Sequence, residues 1–127
     1  MTNEEIIKGN KLIAEFMGAK MIVDDWDGIS LIRFPDESTK HLGALKYNSS
    51  WDQLMEAVEK IEKNCWIIIT TRVSKTTCAI YQPYKEFEII SKGDSESKIE
   101  AVWVAVVEFI KWYNEKNKNN EDTERIG

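Results

Sequence analysis

The sequence has few of the residues that build metal sites or covalent cross-links. Its 127 residues include two cysteines and one histidine. Zinc sites need cysteine and histidine clustered at short spacing, and neither C-x-x-C nor H-x-x-x-H occurs. We therefore expect no metal and no cofactor. Cys65 and Cys78 lie in apolar, strand-like runs, which favours reduced thiols inside a cell over a disulfide.

Long apolar runs and an excess of basic residues are also missing. The longest uninterrupted apolar run is 101–107, far short of the roughly 20 residues that span a bilayer. The acidic N-terminus does not resemble a secretory signal, so we expect a cytoplasmic protein. Lys and Arg number 17 against 22 Asp and Glu, whereas binding to long nucleic acid or an anionic membrane needs a basic surface. We expect neither partner, although a small anionic ligand would need only two or three donors.

Catalytic motifs are absent as well. Neither G-x-x-x-x-G-K nor G-x-G-x-x-G occurs, so no phosphate-binding loop is predicted. His41 lies in a polar stretch and has no Ser or Cys arrangement around it, so we interpret it as a surface histidine. The many carboxylates offer no way to select an acid–base pair. The sequence therefore predicts a protein that is not an enzyme.

Apolar residues at helical spacing predict three helices in a single domain over residues 1–117. Each helix follows a Ser or Thr that can cap its first turn, namely Thr2, Ser50 and Ser97. The predicted helices are 3–17, 51–63 and about 98–117. Residues 118–127 are polar and aperiodic, which predicts a disordered tail.

Between the helices, alternating or β-branched runs predict five strands. They are 20–24, 29–34, 65–73, 77–81 and 86–90, and the third of them is predicted to be a central strand that is covered on both faces. Residues 36–43 and 91–95 are predicted loops, and 44–47 a short extended segment. The order α-β-β-α-β-β-β-α predicts an α+β fold with helices packed on a small, mostly antiparallel sheet, like an α/β/α sandwich.

The last predicted helix is apolar almost all the way round for two turns. A helix that is apolar on every side is buried on every side. This helix is therefore either the central helix of the core or half of a subunit interface, and the second alternative predicts a homo-oligomer that forms through it.

Aromatic and basic residues supply the candidate binding sites. Trp51, Trp66 and Trp103 lie in apolar stripes and are predicted core residues, while Trp112 lies on the polar side of the last helix. Trp26 sits in an aspartate-rich turn. Exposed aromatics at the positions of Trp26 and Trp112 are often contact residues, and the alternative for each is an aromatic that is merely half-buried. The candidate ligand-binding residues are Trp26 and a basic–aromatic group in the predicted meander: Arg72, Lys75, Tyr81, Tyr84 and Lys85. Because adjacent turns of a meander lie at opposite ends of the sheet, this group does not have to converge on one site.

Three segments resemble small accessory proteins of bacteriophages and prophages. They are residues 13–18 (IAEFMG), 47–62 (YNSSWDQLMEAVEKIE) and 87–114 (FEIISKGDSESKIEAVWVAVVEFIKWYN). The pattern is similar to the phage ABA-sandwich domain family, in particular to proteins from phages of Bacteroidetes hosts. The resemblance implies a layered α/β/α domain that acts in an infected bacterial cell, and it implies no catalytic residues.

We therefore expect a phage accessory protein that is not an enzyme and that binds and neutralises a host component. That component is either a host defence protein or a small signalling nucleotide. The alternatives are a structural or assembly factor of the phage particle and a small hydrolase that uses carboxylates.

Overall fold

The computed structural model describes residues 2–23, 31–83 and 88–126, with side chains described up to residue 118. Within these residues the chain is an α+β fold of three helices, six strands and one 3-10 turn. The helices are α1 (Asn3–Phe16), α2 (Trp51–Glu62) and α3 (Lys98–Ile126), and the 3-10 turn is Leu42–Ala44. The strands are β1 (Lys20–Val23), β2 (Leu31–Arg33), β3 (Thr39–His41), β4 (Trp66–Arg72), β5 (Lys75–Tyr81) and β6 (Ile89–Ser95).

The predicted helix starts are confirmed by their capping bonds. Thr2 Oγ1 accepts a hydrogen bond from the backbone N–H of Glu5 at 3.1 Å. Ser50 Oγ accepts from Gln53 N–H, and Ser97 Oγ accepts from Glu100 N–H, each at 3.4 Å. These bonds satisfy N–H groups that the first turn of a helix leaves without a partner.

The strands form two separate antiparallel meanders rather than the one sheet that the sequence predicts. The first has the order β1-β2-β3 and the second the order β4-β5-β6. Residues 36–43 were predicted as a loop, yet Thr39–His41 pairs with β2. The predicted extended segment 44–47 is also wrong, because Leu42–Ala44 forms the 3-10 turn and no strand follows before α2.

The last strand lies further along the chain than predicted. Ile89–Ser95 pairs with β5, so the predicted loop 91–95 is strand. Of the predicted strand 86–90, Ile89 and Ile90 begin β6, and residues 86–87 lie outside the described residues. The sequence SKGDS has little β propensity, and tertiary contacts override it. A Cβ on Gly93 would lie 2.0 Å from the carbonyl oxygen of Ala101, so only glycine lets β6 lie this close to α3.

Helix α3 is the central helix of the fold, as one of the two predicted alternatives requires. On one side, Ser91 Oγ of β6 donates a hydrogen bond to the carbonyl of Ala105 at 2.8 Å. On the other side, Trp103 packs against Gly9 of α1, where any Cβ would overlap its ring. The sheet and α1 therefore cover opposite faces of α3, and residues 101–107 are buried within the single chain apart from a half-buried Val104. Burial of the apolar residues of α3 thus needs no partner subunit.

The backbone of α3 extends beyond its predicted end. The helix continues to Ile126 instead of ending near Asn117, so residues 118–126 are helical where the sequence predicts a disordered tail. The segment is rich in Lys, Glu and Asn and has no apolar periodicity. The sequence pattern therefore had no apolar stripe from which to predict these last turns.

Strand β4 is an edge strand, which corrects the prediction of a central strand covered on both faces. Its only strand partner among the described residues is β5, which lies at the centre of the sheet. Trp66 is 52% exposed and Ile68 48% exposed. Trp51, at the start of α2, is 42% exposed. Trp103 is buried as predicted, but Trp51 and Trp66 are not core residues.

Candidate functional site

A cavity of about 640 Å³ lies where the end of α2, the middle of α3 and the end of α1 meet. We call it the lysine–aromatic cavity, after the two kinds of side chain that dominate its lining. Its lining includes four aromatic residues, three lysines, three side-chain amides and one thiol. They are Phe16, Phe109, Trp112, Tyr113, Lys60, Lys63, Lys116, Asn64, Gln82, Asn117 and Cys65.

The aromatic rings form one cluster that is held by edge and stacking contacts. Phe16 of α1 meets Phe109 and Tyr113 of α3 edge-on, with ring centroids 6.2 and 5.6 Å apart. Trp112 is tilted against Phe109 at 5.8 Å. Because Tyr113 is 41% exposed and Trp112 half-buried, the cluster gives the cavity an apolar wall that remains accessible from solvent.

Two of the lysines lie against these rings. Lys60 Nζ lies 4.5 Å from the centroid of the Phe16 ring and donates a hydrogen bond to the Phe16 carbonyl. Lys116 Nζ lies 4.8 Å from the centroid of the Trp112 ring. Such cation–π contacts hold an ammonium group near a ring while leaving donors available to another acceptor. Glu56 lies four residues before Lys60 on α2, yet no ion pair joins the two side chains.

The electrostatics of the cavity oppose those of the whole chain. The chain carries a net charge of −5, yet the cavity lining contains three lysines and no acidic side chain among the described residues. None of the ion pairs within the described residues involves Lys60, Lys63 or Lys116. Uncompensated positive charge in a concave, partly apolar site attracts an anion.

Part of this charge has a structural explanation. Lys60 is in the last turn of α2 and Lys63 follows its end, where cations complement the partial negative charge of the helix terminus. Lys116 has no such explanation, because it lies inside α3, well before the end of that helix. Helix stabilisation therefore does not account for the set of three.

The remaining polar groups suit recognition better than nucleophilic chemistry. Each side-chain amide in the lining has two N–H donors and one carbonyl acceptor, and the three amides are those of Asn64, Gln82 and Asn117. Burial raises the pKa of the Cys65 thiol, so the neutral form dominates near pH 7. The described lining includes no histidine or carboxylate that would act as a base toward this thiol.

A smaller cavity of about 260 Å³ adjoins the first. Gln82, Trp112 and Lys116 line both. Trp112 therefore borders two concave regions, and the smaller one also has a carboxylate, that of Glu88, in its lining.

The residues that the sequence singled out do not converge on this cavity. Arg72 and Lys75 are paired at the turn between β4 and β5, while Tyr81 lies at the far end of β5. None of these three lines the lysine–aromatic cavity. Trp26, Tyr84 and Lys85 lie outside the described residues. His41 is exposed, as predicted.

The sequence pointed to only one residue of the cavity, Trp112, as an aromatic on the polar side of the last helix. The lysines gave no signal, because each belongs to an ordinary charged helix face. Lys116 follows Trp112 by four residues, so the two share one side of α3, and this i,i+4 pair is the one local signal that could have been found.

Other kinds of site find no support in the part of the chain that the structure describes. No three His, Cys, Asp or Glu side chains come together there in a way that could hold a metal ion. Within the described residues, no helix combines the length and apolar character that crossing a membrane requires. Cys65 and Cys78 are free thiols, as predicted.

Comparisons of the chain with protein-family models, with curated proteins and with solved structures found no match. The resemblance to the phage ABA-sandwich family therefore stays a prediction from the sequence.

Proposed function

We propose that this chain binds and sequesters a small anionic ligand that carries an aromatic ring, of the nucleotide class, in the lysine–aromatic cavity. The observation that carries the proposal is the combination of three lysines with four aromatic rings around one cavity that has no acidic side chain in its described lining. Phosphate groups pair with lysine ammonium groups, and a base stacks on aromatic rings.

The dimensions of the cavity fit this class of ligand. Small-molecule sites typically measure about 300 to 1,000 Å³ and combine apolar walls with a few placed polar groups. The value of about 640 Å³ falls within that range. Trp112 and Tyr113 offer ring faces and edges for a base, and the amides of Asn64 and Gln82 offer donors and acceptors for its polar edge.

In this proposal the cellular role comes from the resemblance to phage accessory proteins. By holding a nucleotide signal in an infected bacterium, the protein would keep that signal from a host defence system. Sequestration requires binding without turnover, and the lining favours binding because it supplies ammonium groups and amides rather than a base next to a nucleophile.

The experiment titrates the protein with linear and cyclic nucleotides while the tryptophan fluorescence and the melting temperature are followed. A ligand that binds only the folded state raises the melting temperature. We expect stabilisation by nucleotides, and little effect from the matching uncharged nucleoside or from inorganic phosphate, since each lacks one half of the recognised chemistry. No stabilisation by any nucleotide would contradict the proposal and would favour the alternative of an inhibitor that binds a host protein.

Variants locate the site. Lys63→Met and Lys116→Met keep the aliphatic stem and remove the charge, and each is expected to weaken binding about tenfold, the typical effect of one charge-assisted hydrogen bond. Lys8→Met is the matched control, because Lys8 is an exposed lysine of α1 that pairs with Glu4 and does not line the cavity. Chromatography of the recovered nucleotide separates sequestration from hydrolysis: an unchanged ligand agrees with the proposal, and a cleaved one contradicts it.

A further inference from the structure

Strand β4 lacks the features that normally prevent an edge strand from pairing with another chain. From Trp66 to Thr71 it has no charged residue, no proline and no glycine. Its register with β5 is regular over all seven residue pairs, so no bulge twists the edge away. Natural edge strands are usually protected by one or more of these devices.

The opposite edge of the same sheet is protected. Strand β6 carries Lys92 and Asp94, whose charged groups lie 3.7 Å apart. Its pairing with β5 shifts register near Tyr81. The contrast shows that one edge of this sheet is suited to pairing and the other is not.

The hydrogen-bonding groups of β4 can be assigned from its turn. Two residues, Val73 and Ser74, connect the paired residues Arg72 and Lys75. A turn this short requires Arg72 and Lys75 to be a hydrogen-bonded pair, after which hydrogen-bonded pairs alternate along the ladder. The N–H and C=O groups of the residues between them, Ile67, Ile69 and Thr71, therefore point away from β5.

We propose that β4 pairs in antiparallel orientation with β4 of a second copy of this chain, about a two-fold axis at Ile69, to form one six-stranded sheet. Ile69 is the centre of the strand, so the outward groups of Ile67, Ile69 and Thr71 meet those of Thr71, Ile69 and Ile67 of the partner subunit. Each of these pairs exchanges two N–H···O bonds.

The side chains in this register are complementary, which is why the occupant is a second copy. Trp66 lies opposite Arg72 of the partner subunit, so the apolar end of each strand faces the charged end of the other. Ile69, which is 46% exposed in the single chain, meets Ile69 of the partner subunit. The strand carries a single charged residue, Arg72, and the two-fold axis places its two copies at opposite ends, so no like charges meet.

The self-pairing also accounts for the exposed apolar surface of the sheet. Trp66, Ile68 and Ile69 are all about half exposed in the single chain. Trp66 and Ile68 lie on one face of the sheet and Ile69 on the other, and pairing at the edge gives both faces a new neighbouring strand. This interface is separate from the lysine–aromatic cavity. A test of the dimer therefore does not depend on whether the proposed nucleotide binding is correct.

Analytical ultracentrifugation of the full chain over a concentration series tests the pairing. We expect the mass to approach twice the 14.7 kDa of one chain as the concentration rises.

Ile69→Lys places two like charges at the two-fold axis, and we expect it to weaken association by about 100-fold or more. Ile89→Lys is the matched control, because Ile89 is 52% exposed on β6 and should leave the mass unchanged. A monomer up to millimolar concentration would overturn the proposal, and so would a dimer that survives Ile69→Lys.

Amide hydrogen exchange of the unmodified chain gives a test that does not depend on whether the variant folds. In the dimer the amides of Ile67, Ile69 and Thr71 are bonded, whereas in the monomer they face solvent. We expect their exchange to slow at least tenfold between dilute and concentrated samples, while that of Ile68 and Thr70, already bonded to β5, changes less. Equal exchange of the three outward amides at both concentrations would exclude the interface.

Discussion

At the scale of single residues, the core depends on a polar group that composition alone does not reveal. Asn10 is 2% exposed, and its amide Nδ2 donates to the Leu45 carbonyl at 3.1 Å and to Asn48 Oδ1 at 2.9 Å. Its Oδ1 accepts from the indole Nε1 of Trp103 at 2.9 Å. One side chain thus joins α1, α3 and the segment that precedes α2, and a buried amide is tolerated there because its partners satisfy it.

Replacing this side chain tests the network. Asn10→Ala leaves the Trp103 N–H and the Leu45 carbonyl without partners in the core, and we expect a loss of about 2 to 4 kcal/mol in the free energy of unfolding, because each buried polar group left unpaired costs roughly 1 to 3 kcal/mol. Urea denaturation measures the loss. Asn48→Ala removes a single bond at a half-buried position, and should cost about 1 kcal/mol. Equal losses for the two variants would contradict this account of Asn10.

The sequence predicted the roles of some residues and not of others, and the difference has a physical reason. The caps at Thr2, Ser50 and Ser97 were predictable because a cap bonds to its own helix. The three lysines of the cavity were not, since they belong to two helices that meet only in the folded chain. Trp66 was placed in the core because its neighbours are apolar, and apolar neighbours do not reveal whether a strand lies at the centre or the edge of a sheet.

At the scale of elements, the close packing of β6 on α3 fixes the position of the second sheet. Gly93→Ala would place a methyl group 2.0 Å from the Ala101 carbonyl oxygen and 2.9 Å from the Ala105 nitrogen. Both are backbone atoms of α3, so the strand itself would have to move. We expect a loss of about 3 kcal/mol or more, at the upper end of the usual cost of overpacking.

A second glycine supplies the control. Gly43 has nothing within 4 Å of a Cβ position, so Gly43→Ala is expected to change the free energy of unfolding by less than about 1 kcal/mol. Thermal and urea unfolding of the two variants side by side give the comparison. If Gly93→Ala were as mild as Gly43→Ala, the contact between β6 and α3 would not limit the fold in the way that we describe.

The same contact explains which elements the sequence predicted well. Helices α1 and α2 were found to within a residue or two because their periodicity and caps are local signals. Strand β3 was missed, and β6 was predicted too early in the chain, because Thr39–His41 and residues 91–95 are polar and gain their structure from pairing. Residues 118–126 were missed because they lack the apolar stripe that marks a helix.

At the scale of the whole molecule, the fold is an α+β arrangement in which one helix is covered by a sheet on one face and by α1 on the other. The sequence predicted the class, and it predicted a central helix as one of two alternatives, because seven consecutive apolar residues in α3 require burial all round. It did not predict two sheets, because the number of sheets depends on which strands pair, and pairing is a long-range property.

Buried ionisable groups on different elements make the stability of the molecule depend on pH. Cys78 of β5 is fully buried, and desolvation raises its thiol pKa from the ordinary 9.0 to about 11. Tyr47 is 3% exposed, and desolvation, with a smaller contribution from Glu56, raises its pKa from 10.0 to about 12. Both groups are neutral when protonated, so the folded state retains protons that the unfolded state has already lost.

The free energy of unfolding is therefore expected to fall as the pH rises from about 9 to 12, and to be insensitive to these two groups below pH 9. The unfolded state binds fewer protons in that window, so the slope with pH is negative. The loss is up to about 3 kcal/mol for each group, because each pKa is raised by about two units and one unit corresponds to about 1.4 kcal/mol. Urea denaturation at pH 8, 10 and 11 measures it. In Tyr47→Phe combined with Cys78→Ala the decline should be shallower than in the unmodified chain, since both groups whose pKa is raised have been removed. Parallel pH profiles for the two proteins would show that these groups are not the source of the dependence.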